Sequence, residues 1–261
     1  MSFPPDSDEP QPANPTPGRL SRIGHRGCVS PGPENTVAAV EAAAPYVDAV
    51  EIDARLCGTG EPVVFHDETL DRVTDGTGRV DETPLATLRT LDVLDTGEPI
   101  PTLSELLAAI SALPSELAVD VEIKAAGAAE RVLATCAESD VDVFYSSFHG
   151  SVLRELRAAD PDAPLAVVYS EDPLDALELA DAVDAVAVHP WTELVLDGSD
   201  ETGSSVAAPV REAHDRGFIV NAWSADTASD VRKLDEAGVD GVIADRWDVF
   251  ESRDGDGTRR E

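Results

Sequence analysis

Five short polar clusters hold the residues of this chain whose types and spacing could do chemistry. They are "GHRG" with His25 and Arg26, "PENT" with Glu34 and Asn35, "VEIDA" with Glu51 and Asp53, "FHD" with His66 and Asp67, and "VEIK" with Glu122 and Lys124. Imidazoles, carboxylates and fixed cations in such combinations suit acid–base chemistry on an anionic substrate, assisted by a metal ion.

Two of the clusters predict a metal site. Glu51 and Asp53 are two residues apart in an apolar run, so in a strand both carboxylates project from the same face, and Glu122 and Lys124 repeat the arrangement. If both faces point inward, three carboxylates meet in one cavity, and burying them requires a cation. An all-oxygen set of Glu51, Asp53 and Glu122 suits one divalent ion, Mg²⁺ or Ca²⁺, with Mn²⁺ as a further candidate.

The remaining charged residues indicate the reaction. Arg26 and Lys124 supply positive charge for an anion, and a phosphate group is the anion that they match best. His25 and His66 can serve as general acid and base near neutral pH. Hydrolysis of a phosphodiester is therefore the predicted chemistry.

The elements that must position these residues alternate along the chain. Strand-like runs occupy residues 19–25, 48–56, 116–124, 141–147, 164–170, 184–190, 217–224 and 238–245, and seven amphipathic helical segments lie between them. Eight β units and seven helices predict a (β/α)8 TIM barrel, with a doubly wound open sheet as the main competitor. The polar clusters then follow the carboxyl ends of strands, where such barrels carry their active sites.

The expected domain organisation is simple. Residues 1–18 are rich in Pro and Asp and predict a disordered tail, residues 19–250 form the barrel, and residues 251–261 form a second disordered tail. Within the barrel, "EPVVFHDETLDRVTDGTGRV" predicts a hairpin or small insertion after the second strand, at residues 67–100. A length of 261 residues accommodates one such domain.

Composition narrows the setting of the protein. The chain has 52 acidic against 19 basic residues, a formal net charge of -33, and only two lysines. Such a surface argues against a nucleic-acid partner and resembles that of haloarchaeal cytosolic proteins, in which concentrated salt screens the repulsion. The N-terminus has no basic and apolar signal-peptide regions, so we expect a cytoplasmic protein without a stable membrane anchor. The three cysteines form no CxxC pair, which argues against a disulfide framework or a zinc site.

Together these motifs resemble the glycerophosphodiester phosphodiesterase family from about residue 21 to residue 250. The resemblance rests on "GHRG", "PENT", "VEIDARL", "PVVFHDETLDRVTDGTG", "PTLSELL", "VEIK", "SSF", "VNAWSADT" and "GVDGVIADRWD". It implies a metal held by Glu51, Asp53 and Glu122, an acid–base pair of His25 and His66, and phosphate ligands Arg26 and Lys124. It also implies a place for Glu34 in the substrate-binding region, a supporting role for Asn35 and Asp67, and a position at the pocket wall for Trp223, which could equally be a core aromatic.

The expected reaction releases glycerol phosphate and an alcohol from a small glycerophosphodiester, and it leaves two alternatives open. One is a phospholipase D-like enzyme that acts on lipids or lysolipids, although an aromatic content of 5% offers little for a membrane-docking rim. The other is a barrel that only binds phosphorylated ligands. The nucleophile is either water or the substrate's own glycerol hydroxyl. His189 is expected to be structural.

Overall fold

The computed structural model describes residues 19–30, 32–197 and 207–250, and in them a parallel sheet closes into a barrel. Eight strands run in parallel in the order β1-β9-β8-β7-β6-β5-β4-β2, and β1 also pairs with β2. The strands are β1 (Ser21–Gly24), β2 (Ala49–Leu56), β3 (Pro62–Val64), β4 (Ala118–Ile123), β5 (Val143–Ser147), β6 (Leu165–Tyr169), β7 (Ala187–Pro190), β8 (Ile219–Ala225) and β9 (Gly241–Ala244). The predicted (β/α)8 barrel is confirmed, and each strand-like run contains one barrel strand.

Helices cover the outside of the barrel. They are α1 (Val37–Ala43), α2 (Leu85–Leu88), α3 (Leu103–Ser111), α4 (Ala129–Cys136), α5 (Gly150–Ala159), α6 (Pro173–Ala182), α7 (Thr192–Leu196), α8 (Ala208–Asp215) and α9 (Ala228–Glu236). All seven predicted helical segments contain a helix, whereas the short α2 and α7 were not predicted. Side-chain caps define the starts of several helices, as where Thr102 and Glu105 form a capping box at α3.

Because side chains alternate along each strand, the barrel has an apolar outer face and an inner face that is partly apolar and partly polar. Val50, Ile52 and Ala54 of β2 belong to the main core between the sheet and the helices. The residues between them therefore point into the barrel, where Ala49 packs in a small apolar cluster with Ile23, Ala118 and Ile243. Polar residues lie above this apolar layer, toward the carboxyl ends of the strands.

The segment after β2 forms an excursion on the rim of the barrel. β3 pairs with β2 in antiparallel register, with Ala54 opposite Val64, so the two strands form the predicted hairpin. The following residues contain a short 3₁₀ turn (Val80–Glu82) and α2, and they pack around their own small core. This core is formed by Cys57, Val63, Phe65, Leu70, Val73, Val80, Leu88, Val93 and Ile100.

The two predicted tails, residues 1–18 and 251–261, lie outside the described residues. Among the helices that are described, none combines the length and the apolar character needed to cross a bilayer.

Candidate active site

Three buried carboxylates form a cluster at the carboxyl ends of β2 and β4. These strands are neighbours, with Glu51 opposite Asp120 and Asp53 opposite Glu122. One oxygen from each of Glu51, Asp53 and Glu122 lies within 4.8 Å of the others, and all three residues are buried. The spacing that predicted a shared inward face therefore brings the predicted metal ligands together.

The Glu51 carboxylate shows why this cluster suits a cation. Its Oε2 accepts a hydrogen bond of 2.9 Å from the Arg26 amide, whereas its buried Oε1 has no hydrogen-bond partner within the described segments. Burial, with added repulsion from Asp53 and Glu122, raises the pKa of Glu51 well above its ordinary value. A hard divalent ion would satisfy the free oxygen and offset the repulsion, so the donor set fits such an ion.

Lys124 provides one positive charge to the same cluster. Its Nζ lies 2.8 Å from Asp53 Oδ1 and 2.5 Å from Glu122 Oε1. Burial opposes ionisation of both acids, but Lys124 and Arg26 together hold the pKa of Asp53 well below its ordinary value. The pKa of Glu122 is raised, because burial and the Asp53 charge outweigh the attraction of Lys124.

His25 is held by a carboxylate from the far end of the chain. It lies in a 3₁₀ turn (His25–Gly27) directly after β1, and its Nδ1 is 2.5 Å from Asp245 Oδ1, directly after β9. Its Nε2 lies 3.9 Å from Glu51 Oε2, beside the carboxylate cluster. The hydrogen bond from His25 lowers the pKa of Asp245, so this carboxylate is an ionised orienting partner.

His66 has the same arrangement on the other side of the site. It follows the hairpin strand β3, and its Nδ1 lies 2.6 Å from Asp67 Oδ1. Burial is the main cause that lowers the pKa of His66, and together with Lys124 and Arg26 it outweighs the opposing effects of Asp53 and Asp67. The imidazole is therefore mostly neutral near pH 7, with Nδ1 occupied by Asp67.

The first loop is built by positive backbone angles and by hydrogen bonds to β2. Arg26, Gly27 and Asn35 have φ values of 51°, 72° and 60°, so the chain turns tightly here. Asn35 Nδ2 donates to Asp53 Oδ2 at 2.7 Å, and the Asp53 amide donates to Asn35 Oδ1 at 3.0 Å. The guanidinium of Arg26 donates to Glu34 Oε1 at 2.8 Å and lies 3.4 Å from Asp53 Oδ2.

A cavity of about 210 Å³ collects most of the predicted site residues. Seven of the predicted residues line it: His25, Arg26, Glu51, His66, Glu122, Lys124 and Trp223. The other four predicted residues contact these lining residues, namely Glu34, Asp53, Asp67 and Asn35, whose backbone amide donates to the Arg26 carbonyl. Phe148 forms the opposite wall with Trp223, at a centroid distance of 5.3 Å and an interplanar angle of 88°. Trp223 is thus a wall residue, and its indole N–H donates to the His189 carbonyl at 3.0 Å.

Four further polar residues of the site were missed or set aside in the sequence. Asp245 lies in "GVDGVIADRWD" and Arg72 in "PVVFHDETLDRVTDGTG". The position of Asp245 at the end of a predicted strand could have identified it as a site residue. Asp120 precedes Glu122 on the same strand face, and it is fully buried with Oδ2 3.4 Å from His189 Nδ1. Asp120 and His189 both line the cavity, and burial lowers the pKa of His189 to about 3.

Comparison with known proteins identifies the family of this chain. The model of the glycerophosphoryl diester phosphodiesterase family matches residues 25–249. A glycerophosphodiester phosphodiesterase of Caldanaerobacter subterraneus subsp. tengcongensis is 30% identical over 237 residues, which cover 85% of this chain and 93% of the relative. One from Bacillus subtilis is 25% identical over 262 residues, covering 90% of this chain and 86% of the relative.

Solved structures extend the comparison to the fold. An Oleispira antarctica phosphodiesterase, determined in complex with its product sn-glycerol-3-phosphate, has a TM-score of 0.73 and 30% identity, covering 86% of this chain and 92% of that chain. A Thermotoga maritima glycerophosphodiester phosphodiesterase shares the fold, with a TM-score of 0.74 and 24% identity, covering 89% of this chain and 97% of that chain. The chain therefore belongs to the glycerophosphoryl diester phosphodiesterase family of enzymes.

Proposed function

We propose that this enzyme hydrolyses small glycerophosphodiesters to glycerol phosphate and an alcohol, using a divalent metal ion and two histidines. One observation carries the proposal. His25 and His66 line the same cavity as the carboxylate cluster, and each has its Nδ1 held by an aspartate. Two oriented imidazoles beside a cavity lined with charged side chains are the groups that a phosphodiester cleavage by acid–base catalysis requires.

Glu51, Asp53 and Glu122 are the residues that would hold the ion. Their donors are all carboxylate oxygens, which favours Mg²⁺, Ca²⁺ or Mn²⁺ over softer metals. A bound ion of this kind supplies charge stabilisation for the non-bridging phosphate oxygens. The unpartnered Glu51 Oε1 supports this assignment independently of the family resemblance.

The two histidines divide the proton transfers between them. An imidazole whose Nδ1–H donates to a carboxylate has Nε2 available to accept a proton, and in its protonated form Nε2 can return one. One histidine takes the proton of the attacking hydroxyl, from water or from the substrate's glycerol, while the other protonates the departing alkoxide. The lowered pKa of His66 supports its availability as a neutral group near pH 7.

Arg26 and Lys124 bind the phosphate. Both line the cavity, and both are held by carboxylates that fix their direction: Glu34 and Asp53 for Arg26, and Asp53 and Glu122 for Lys124. The fixed guanidinium and ammonium can then meet the phosphate oxygens without reorganisation.

The aromatic wall is the place that we assign to the alcohol part of the substrate. Phe148 and Trp191, at the carboxyl ends of β5 and β7, are 40% and 39% exposed, and both are near Trp223. These exposed rings are the one observation that favours a phospholipase D-like activity on lysolipids as a second candidate. We therefore include lysophosphatidylcholine among the substrates to be tested.

The surface charge supports a halophilic, cytoplasmic enzyme. A net charge of -33 on 261 residues gives strong self-repulsion in dilute buffer, and about 1 M salt reduces the Debye length to about 3 Å. We expect maximal activity in concentrated KCl, with loss of activity and of secondary structure on dialysis into salt-free buffer. Full activity without salt would refute this part of the proposal.

The test measures glycerol phosphate release from glycerophosphocholine, glycerophosphoethanolamine and glycerophosphoglycerol, and lysophosphatidate release from lysophosphatidylcholine. The assay is run at about 2 M KCl, where surface charge is well screened, after chelation and after addition of Mg²⁺, Mn²⁺ or Ca²⁺. We expect metal-dependent release that His25→Ala and His66→Ala abolish. His214→Ala is the matched control, because this half-exposed histidine pairs with Asp240 away from the cavity. Ligand binding without turnover in the folded wild type would instead indicate a binding protein.

A further inference from the structure

Arg72 connects two parts of the site that are far apart in sequence. It lies in the excursion after β3, and its guanidinium makes four hydrogen bonds to two carboxylates. Nη1 and Nη2 donate to the two oxygens of Glu34 at 2.8 and 2.7 Å, while Nε and Nη2 donate to the two oxygens of Asp67 at 2.6 and 3.0 Å. Both contacts are bidentate, which fixes the planes of the two carboxylates relative to each other.

Each of these carboxylates also holds a residue that faces the cavity. Glu34 is 5% exposed, and its Oε1 accepts from Arg26 Nη1 at 2.8 Å. Asp67 Oδ1 lies 2.6 Å from His66 Nδ1. The result is one continuous chain of hydrogen bonds that runs from Arg26 through Glu34, Arg72 and Asp67 to His66.

We propose that Arg72 is a positioning residue for the reaction: it orients His66 through Asp67 and Arg26 through Glu34, although it does not line the cavity itself. The inference rests on the roles proposed above for His66 and Arg26. Without the guanidinium, Glu34 and Asp67 would face each other with no cation between them, and the directions of Arg26 and His66 would no longer be fixed. A lysine could supply the charge but not the two bidentate contacts.

The same segment contains a natural control. Arg79 also pairs with two acids, Glu68 and Asp81, through Nη1 at 3.0 Å and Nε at 2.9 Å. Both acids are more than half exposed, and neither contacts a cavity residue in the hydrogen bonds of the described chain. Arg79 therefore matches Arg72 in type and location but lacks its connection to the site.

The charges around His66 give the proposal a pH signature. The charged groups that act on His66 are Asp67 beside it, Asp53 on β2, Lys124 after β4 and Arg26 after β1. Arg72 is connected to His66 by two hydrogen bonds through Asp67. Arg72 lowers the pKa of Asp67 to about 2, so the carboxylate stays ionised. Removing the cation leaves the Asp67 charge more available to protonated His66, so the pKa of His66 rises.

The experiment compares Arg72→Met, Arg72→Lys and Arg79→Met with the wild type, at saturating divalent ion, by kcat, KM and the pH profile of kcat/KM. For Arg72→Met we expect a kcat about 10- to 100-fold lower, as for other residues that orient a reactive group, and an upward shift of one pH limb by about one unit. Arg72→Lys should restore the limb but recover kcat only in part. Arg79→Met should match the wild type.

Several outcomes would overturn the inference. Arg72→Met with the kcat and pH profile of Arg79→Met would show that the guanidinium serves only the packing of the excursion. If circular dichroism shows that Arg72→Met does not fold, the test uses Arg72→Lys instead. A wild-type kcat for Arg72→Lys would refute the need for the two bidentate contacts. Failure of the proposed function is a separate result, since it would appear as an inactive wild type or an active His66→Ala.

Discussion

The carboxylate cluster predicts that a divalent ion stabilises the folded protein. Glu51 should stabilise the fold when the ion is bound and destabilise it when the ion is removed. Three buried carboxylates share two cations, Lys124 and Arg26, and Arg26 also pairs with Glu34, so keeping all three acids ionised without an ion is unfavourable. Glu51 carries the largest part of this cost, because its Oε1 has no hydrogen-bond partner among the described residues and its neighbours raise its pKa.

The magnitude follows from linkage between ion binding and folding. An ion present at about 100 times its dissociation constant stabilises the native state by about 2.7 kcal/mol. For a domain of this size, about 2–4 °C per kcal/mol converts this to a rise in melting temperature of about 5–11 °C. If Glu51→Gln weakens ion binding about 10- to 100-fold, the stabilisation at the same ion concentration falls to between about 1.4 and 0.4 kcal/mol.

The assay is thermal unfolding followed by circular dichroism at about 2 M KCl, which screens the surface charge, with either chelator or Mg²⁺ or Ca²⁺. In chelator, Glu51→Gln should melt above the wild type, because a glutamine of the same shape removes the cost of burying the Glu51 carboxylate or of protonating it on folding. With excess ion the order should reverse. The exposed Glu116, at the amino end of β4, provides the matched control Glu116→Gln, which should follow the wild type in both conditions. Equal ion-induced shifts in the wild type and Glu51→Gln would refute the assignment of Glu51 as a ligand.

Three further predictions concern the residues around the site. Asp245→Asn keeps the shape beside His25 but removes the ionised acceptor, so kcat should fall about 10- to 100-fold with little change in melting temperature; an unchanged kcat would contradict the orienting role. Gly27→Ala places a Cβ 2.9 Å from Val40 Cγ2 at a φ of +72°, and chemical denaturation should show a loss of about 1–3 kcal/mol. Burial raises the pKa of the Cys28 thiol to about 12 and that of Cys136 to about 11, so a thiol reagent at pH 8 should label them only after unfolding, and rapid labelling of the native protein would show that they are accessible.

The barrel and the cluster of polar residues could be predicted because both depend on local rules. Alternation in "VEIDA" and "VEIK" places the acids on one face of each strand, and the position of a strand end in a barrel places them at the same rim. The two histidines follow strand ends for the same reason. Tertiary structure adds the distances, and these bring the three acids within 4.8 Å of one another.

The partners of those residues could not be predicted in the same way. Asp245 meets His25 only because β9 pairs with β1, and that pairing depends on closure of the whole sheet. Arg72 belongs to an irregular segment, where no periodicity indicates which way a side chain points. The ionic pairing of Glu34 with both Arg26 and Arg72 is likewise a property of the folded loops and not of any local spacing.

The pairing of β1 with β9 means that the contact between His25 and Asp245 requires a closed barrel. His25 follows the first barrel strand, whereas Asp245 is 220 residues later and follows the last strand that the structure describes. A growing polypeptide on the ribosome therefore cannot orient this imidazole through Asp245 until β9 has been made. With the role proposed for His25, we expect phosphodiester cleavage to begin only after β9 has docked on β1, so that the appearance of activity during refolding reports closure of the barrel.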